Sequence, residues 1–509
     1  MTKHLSKIIT CLACAGLFIM SGCGSGPAQG DPVLKAGAAA VVVTPLVEPF
    51  EDLNQNRQHH QDEPYTDLNS DGQWNEVFLG GYGANRPALG VHDDLYARVL
   101  VLERGDIRIG IVSIDWVGLF HDHSLEFKQA ADLAGLELDH LIVSCTHNHE
   151  APDTLGIWGD PAAAQTGRDD EYIAKTQQQT IAALTEAISE LAPVKIIAGV
   201  GMAADMTDDS RLPIVKNETV TALRFDRIDD SGVVATVVHW SNHVESMYSG
   251  NRLITADFPF GLVAELEEAE PGSVGIFWQG TVGGLMNPYD IDIEDEEGNL
   301  LPEPSFERTE RYGRIVAQIA LETLATGKDI GDRLAFRRKL FMLPFDNLDL
   351  KLAAVGGLIS RTPYDENGNQ RELEDIFNYE PHIQTEITVL DLGEAQIVTV
   401  PGEIYPELVL EGPNGETYYE DPQDPGADFY GTECVKPVYH YMRPSDYRMV
   451  LGLANDELGY IIPKCQFDCV APYTYGRDDA QYGEGVSAGP ETAPIILEVI
   501  SKELSRLND

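Results

Sequence analysis

Leu141-Ile142-Val143-Ser144-Cys145-Thr146-His147-Asn148-His149-Glu150-Ala151-Pro152 is an apolar run that stops at two histidines, a glutamate and a helix-breaking proline. Leu141, Ile142 and Val143 read as a buried strand. If the strand continues, the i, i+2 spacing of His147 and His149 puts both imidazoles on one face. At a strand end they would sit where open α/β sheets place their sites. Neutral imidazole is a common zinc ligand. The plain alternative is a pair of loop histidines that bind nothing, because zinc takes about four ligands and only two are local. Any further ligands must come from far along the chain.

Outward toward the N-terminus, residues 1–22 read as an export signal. Lys3 and Lys7 precede an apolar core over 8–20 that is too short to span a bilayer. Met20-Ser21-Gly22-Cys23 resembles a bacterial lipobox, which makes Cys23 the lipidated first residue of an exported lipoprotein. Residues 23–34, with Gly, Ser and Pro, form a flexible tether. The expected location is the outside of the cytoplasm, attached to a membrane through acyl chains. Residues 35–509 are then expected to make a single catalytic domain.

The 509-residue chain is 43% hydrophobic and 23% charged, with a formal net charge of −48. That charge argues against nucleic acid, or an anionic bilayer, as a partner. Oligomeric state is not readable from it. Of seven cysteines, Cys11 and Cys14 leave with the signal and Cys23 is acylated. Among the rest, one disulfide is expected within Cys434, Cys465 and Cys469, as export permits. Cys145 reads as a buried free thiol, with a zinc thiolate as the sharper alternative.

Asp67, Asn69 and Asp71, followed by Gly72, resemble the front of a calcium loop. The twelfth position carries Phe78 instead of the bidentate glutamate. Calcium or magnesium here stands against a plain acidic turn.

Tyr96 and the residues to Glu103, then 107–116, read as two strands joined by Gly105-Asp106. Helical periodicity follows over 124–133 and 171–191, and strands over 194–199, 220–225 and 233–239. The expected class is α/β: mixed β-sheets flanked by helices, with a zinc site at converging strand ends. A second apolar run ends in His239-Trp240-Ser241-Asn242-His243, and a third, at 397–400, ends in Pro401-Gly402-Glu403. Each residue alone has a bland reading: a satisfied histidine, a solvated turn carboxylate. Together, His, His and Glu at three strand ends make the ligand set of a hydrolytic zinc site.

With these motifs assembled, the chain resembles the neutral (non-lysosomal) ceramidase family. The resemblance rests on Gly90-Val-His-Asp-Asp-Leu-Tyr-Ala-Arg98, Ser144 to Pro152, Ser210-Arg211, Asn242-His243-Val-Glu-Ser-Met247, Ala256-Asp257, Pro401-Gly402-Glu403, and Asn455 through Gly459-Tyr460 with Tyr482 beyond. It implies His147, His243, Glu403 and Tyr460 as zinc ligands. It implies His149, Arg211 and Tyr482 as the groups that hold and polarise a substrate amide. The implied reaction is hydrolysis of an N-acyl amide such as ceramide, giving a sphingoid base and a fatty acid. Three departures stand out. Gly280 replaces a serine the family tends to carry, the loop at Cys465 and Cys469 looks inserted, and no C-terminal immunoglobulin-like domain is expected. Two other readings stay open: a zinc hydrolase of the same scaffold acting on a non-lipid amide or ester, and a lipid-anchored, calcium-containing surface binding protein without catalysis.

Overall fold

The hairpin read at Gly105-Asp106 forms, and it seeds the larger of two mixed sheets. Strands β1 (Lys35–Val42), β2 (Tyr96–Arg104), β3 (Ile107–Ile114), β4 (His140–Cys145), β5 (Ala192–Met202), β6 (Thr219–Arg227), β7 (Val233–Trp240) and β8 (Val274–Gln279) lie in the order β8-β7-β6-β5-β1-β2-β3-β4. These positions come from a computed structural model that describes residues 31–56, 59–419 and 423–508. The expected signal and Cys23 lie outside the described residues. Val33–Asp509 forms one compact unit.

Most neighbours in this sheet are antiparallel, but β3 pairs parallel with β4, and β7 with β8. A parallel pair needs a crossover. Helix α1 (His121–Leu133) supplies the first and α3 (Phe258–Ala269) the second. Helices α2 (Asp170–Ser189) and α4 (Phe306–Ala325) cover the same sheet. Helix α2 starts where Asp169 accepts from the free backbone N–H groups of Glu171 and Tyr172, a side-chain cap. In α4, Tyr312, Val316, Ala320 and Leu324 recur every four residues and are all buried, which makes one apolar stripe toward the sheet.

The second sheet runs β9 (Leu334–Pro344), β10 (His382–Leu392), β11 (Ala395–Thr399), then Arg448–Leu451, with helix Thr492–Asn508 on its outer side. One core cluster mixes Leu100, Ile111 and Ile142 with Leu390, Ile397 and Met449 and so joins the two sheets. Strand β4 is buried at every position, being covered on both faces. That is why it reads as a continuous apolar run without alternation. Helix α5 (Leu348–Val355) lies in the connection between β9 and β10.

One local expectation is corrected. The strand stops at Cys145, and His147 sits beyond it with φ at +65°, in the left-handed region. Histidine there costs ~1–2 kcal/mol relative to ordinary backbone. The shared-face argument for His147 and His149 therefore fails, because the pleat that would have aligned them has ended. Their rings meet for a tertiary reason instead. Both backbone N–H groups of His147 and Asn148 donate to the Trp116 carbonyl, and His149 N–H donates to Val244 O.

Candidate metal centre

Each parallel pair of the large sheet does the same job at its C-terminal end. One strand delivers an imidazole and its neighbour delivers the carbonyl that aims it. After β4, His147 donates Nδ1–H to the carbonyl of Val117, which follows β3, at 2.7 Å. After β7, His243 donates Nδ1–H to the carbonyl of Met286, which follows β8, at 2.6 Å. With Nδ1 holding the proton, each neutral ring presents a lone pair at Nε2.

The second sheet repeats the pattern with its own parallel pair, β11 beside Arg448–Leu451. Past their ends run two short strands, β12 (Glu403–Ile404) and Tyr460–Ile461, paired parallel with Glu403 opposite Tyr460. Gly459 lets Val486 and Ser487 pass close beside Tyr460. At φ +73°, it lies where an added Cβ would stand 1.5 Å from the Val486 carbonyl oxygen.

These ends converge. Glu403 Oε2 stands 3.2 Å from His147 Nε2 and 3.2 Å from His243 Nε2. Tyr460 OH is 3.5 Å from His243 Nε2. His149 Nε2 is 3.3 Å from His147 Nε2, and His147, His149 and His243 form the one cluster of potential metal-ligating groups of this kind among the described residues. All are buried. Burial alone would raise the Glu403 carboxyl, yet His147 and His243 more than offset it and hold it well below the usual carboxylate range. Burial likewise pulls His147 down, but Glu403 reverses the sign and raises it. His149 is pushed down to about 4 by burial.

The donor set fits a metal. Glu403 Oε2 is fully buried and makes no hydrogen bond, although two imidazole nitrogens lie 3.2 Å away. With both imidazoles neutral, their lone pairs and a carboxylate oxygen facing one point repel unless a cation lies between them. Ligand atoms around a tetrahedral zinc, with bonds of 2.0–2.1 Å, stand about 3.3 Å apart. The observed separations match that edge.

By sequence this chain matches no family model and no curated protein. By structure it matches the crystal structure of neutral ceramidase from Pseudomonas aeruginosa with a TM-score of 0.63 at 15% identity, over 94% of this chain and 75% of that one. A structure described as ceramidase complexed with C2 matches equally, over 94% of this chain and 76% of the other. The fold is that of neutral ceramidase. The ceramidase fold therefore accounts for the two mixed sheets and for the end of the molecule where the strands converge.

Beside the cluster lies a cleft of about 790 Å³, open mouth included, lined by His147, His149, Glu403, Tyr460 and Tyr482. Most of its lining is apolar, with Phe120, Leu155, Ile157, Trp158, Leu350 and Ile359 in one cluster, joined by Phe345, Leu458, Val486 and Ala488; Arg361 and Glu457 are the charged exceptions outside the histidine cluster. Sequence reading did not single out these walls. Apart from Leu458, which lies within the motif at 455–460, they come from segments with no motif, and only their spatial convergence marks them. Glu245 and Glu457 were passed over as well, although both lie inside motifs. Glu245 follows His243 by two residues, and Glu457 lines the cleft with its carboxyl pushed well up by burial and by Glu403.

Arg211 is not among the residues that line the cleft. Its guanidinium grips Glu484 with two hydrogen bonds of 2.6 and 3.0 Å and also donates to the Tyr482 carbonyl. Tyr482 itself stands at the mouth, 60% exposed, edge-on to Tyr460 at 5.6 Å. Cys434 and Cys465 form the expected disulfide, Cys469 is free, and Cys145 is a buried free thiol outside the histidine cluster. At the candidate calcium loop, Asp67 accepts from the N–H groups of Ser70 and Gly72, and Asp71 from that of Gln73. Turn closure gives those acids a role that needs no ion.

Near Arg211, burial pushes Glu407 up to about 8, with Asp209 adding to the effect, and burial pushes Asp209 up to about 7. A carboxyl raised above its unfolded value of ~4.3 contributes stability that is complete below that value. The contribution is lost as pH rises through the folded value. Stability should therefore decline between about pH 4 and pH 8. Glu407→Gln should flatten that decline and raise Tm at pH 8 by several degrees while changing little at pH 5. Thermal melts of both proteins at the two pH values decide it, and equal slopes would exclude Glu407 as a source.

Proposed function

We propose that this protein is a zinc-dependent amidohydrolase that cleaves the C–N bond of an N-acyl amide with a long apolar acyl chain, a ceramide-like substrate. The observation that carries the reading is the apolar cleft opening onto the converged His147, His243, Glu403 and Tyr460 side chains. Those four would hold the metal. When bound, zinc supplies a water acidified toward neutrality and a positive charge beside the acyl oxygen.

The chain's own residues do the rest. Phe120, Leu155, Trp158 and Ile359 would pack the acyl chain, each CH₂ removed from water contributing ~0.8 kcal/mol. The same contacts exclude water from the reacting carbonyl. Tyr482 OH would donate a hydrogen bond to the acyl oxygen as it gains charge. Arg211 would act at one remove, holding Glu484 and the Tyr482 backbone in register.

The apolar wall favours a lipid-like substrate over a polar one. The test is hydrolysis of a long-chain N-acyl sphingoid base against a short soluble N-acyl amine and a simple ester, with and without chelator. Faster, chelator-sensitive turnover of the long-chain amide is expected. Preference for the soluble amide or the ester would replace this reading with the non-lipid hydrolase. No turnover of any of them would point to a binding protein.

We also propose export as a lipoprotein anchored through Cys23. The lipobox at Met20-Ser21-Gly22-Cys23 supports acyl attachment; no helix among the described residues is long and apolar enough to cross a membrane. Cys23→Ser should shift the protein from the membrane fraction to the soluble fraction. Retention on membranes in high salt would remove the anchor from consideration.

A further inference from the structure

We infer that the outward face of helix α5 docks the protein on a zwitterionic lipid surface, beside the mouth of the apolar cleft. The inference rests on the lipid-amide reading above and adds where such a substrate is met.

Helix α5 carries two apolar stripes. At about 100° per residue, Leu350, Ala353 and Ala354 fall on one side, and Leu348, Leu352 and Val355 fall roughly 180° away. The first stripe packs with Phe120, Leu155 and Ile359, and Leu350 and Ile359 line the cleft. The second stripe faces solvent: Leu348 is 58% exposed, Leu352 52% and Val355 43%. A single exposed leucine needs no explanation, but a whole apolar helix face does. Phe377, two residues beyond the short turn Leu373–Asp375 that touches α5, is exposed as well. The helix is pinned to the rim of the cleft. Asn347 Oδ1 accepts from the Leu350 N–H at 3.0 Å, and Asn347 Nδ2 donates to the carbonyls of Gly485 and Ser487 at 2.9 Å each. Those two carbonyls flank Val486, which lines the cleft, and follow shortly after Tyr482 at its mouth.

Substrate chemistry and charge say what covers this face. A long-chain N-acyl amide resides in a lipid layer and not free in water, because each CH₂ favours apolar surroundings. The helix that walls the cleft with one stripe presents the other outward, so a layer meeting the outer stripe lies next to the cleft. Leucines and a valine resting among acyl chains would hold the mouth against that layer. Tyr482, with an apolar ring and a polar hydroxyl, suits the boundary between lipid and water. Charge selects the headgroup. Helix α5 carries one acid, Asp349, and one base, Lys351, and the whole chain has a formal net charge of −48. An anionic layer would repel that charge, whereas a zwitterionic layer would not. A second copy of this chain is the poorer occupant. A stripe of three side chains falls far short of the roughly 20–30 residues a side that a stable dimer buries.

The experiment uses the full chain and phosphatidylcholine vesicles. Leu352→Trp places a reporter on the outer stripe, and its emission, corrected for that of the wild type, is followed with lipid brominated on its acyl chains. Quenching is expected, and it should weaken when phosphatidylglycerol is mixed into the vesicles. Leu348→Asp combined with Leu352→Asp takes away the apolar character of the stripe. That double variant should turn over a long-chain N-acyl amide carried in the vesicles ~10-fold more slowly or worse, since two leucines no longer enter the layer. Its Tm, and its turnover of a short soluble N-acyl amine, should stay at the wild-type level. An unquenched reporter, or a double variant that cleaves the vesicle-borne amide at the wild-type rate, overturns the inference and leaves the hydrolase reading intact. If the double variant fails to fold, the reporter alone decides. A quenched reporter in a protein that hydrolyses neither amide keeps the docking face and overturns the hydrolase reading. A reporter shielded without lipid, in a dimer that the double variant dissolves, assigns the face to a second copy and overturns the inference.

Discussion

Replacing His147 and His243 together by alanine should yield a protein with no bound zinc and no hydrolysis above background. The geometry gives the reason. Their Nε2 atoms flank Glu403 Oε2 at 3.2 Å each, and their Nδ1–H groups are already committed to backbone carbonyls. Nothing else in the site reproduces those two lone pairs. Wild-type Tm should fall on chelation and recover on adding zinc, because a ligand that binds only the native state stabilises it by RT ln(1 + [L]/Kd), ~4 kcal/mol at a thousandfold excess over Kd. The double variant should melt at one temperature whether zinc is present or not. Elemental analysis and paired melts check this. A double variant that still carries stoichiometric zinc would remove the metal centre from these residues.

The second large effect concerns stability. Arg211 and Glu484 are both buried, with side chains 2% and 3% exposed, and are joined by two hydrogen bonds. Removing one partner of such a pair leaves the other charged and unsatisfied, at a cost of ~3–5 kcal/mol. Arg211→Ala should therefore lower Tm substantially. Activity should fall too, because the Tyr482 carbonyl loses its donor and the residue at the cleft mouth loses its anchor. Removing both charges, as Arg211→Met with Glu484→Leu, should restore much of the stability, since replacing a buried pair by apolar groups is often neutral or better. An Arg211→Ala protein with wild-type Tm and a raised KM would contradict this account and return Arg211 to direct contact with substrate.

Much of the fold was legible because its signals are local. The hairpin at Gly105-Asp106, helices α1 and α2 and strands β6 and β7 follow from alternation, periodicity and turn residues. Among the elements read, errors stayed near the ends, as at α2, which begins at Asp170 because Asp169 caps it, whereas β1, α3, α4, β9 and β10 were not read from the sequence. Strand ends carrying His147, His243 and Glu403 were visible for the same reason. An apolar run that stops at a polar residue marks where buried backbone gives way to a site.

The sequence by itself determined the mixed α/β class, the identity of the residues at three strand ends, and one disulfide among three cysteines. Tertiary structure alone decided that His147 leaves its strand in the left-handed region, and that Glu403 and Tyr460 meet as partners in a two-residue parallel ladder. It also decided that Arg211 serves Glu484 and that Glu245 faces His149. The physical reason is sequence distance. Periodicity reports which face of an element is buried, a property of neighbours in the chain. Which nitrogen keeps its proton, which carboxylate loses its water and which apolar side chains share a cleft depend on groups that folding brings together from far apart along the chain. Arg211 and Glu484 are 273 residues apart, and the hydrogen bond between Arg211 and Tyr482 spans 271.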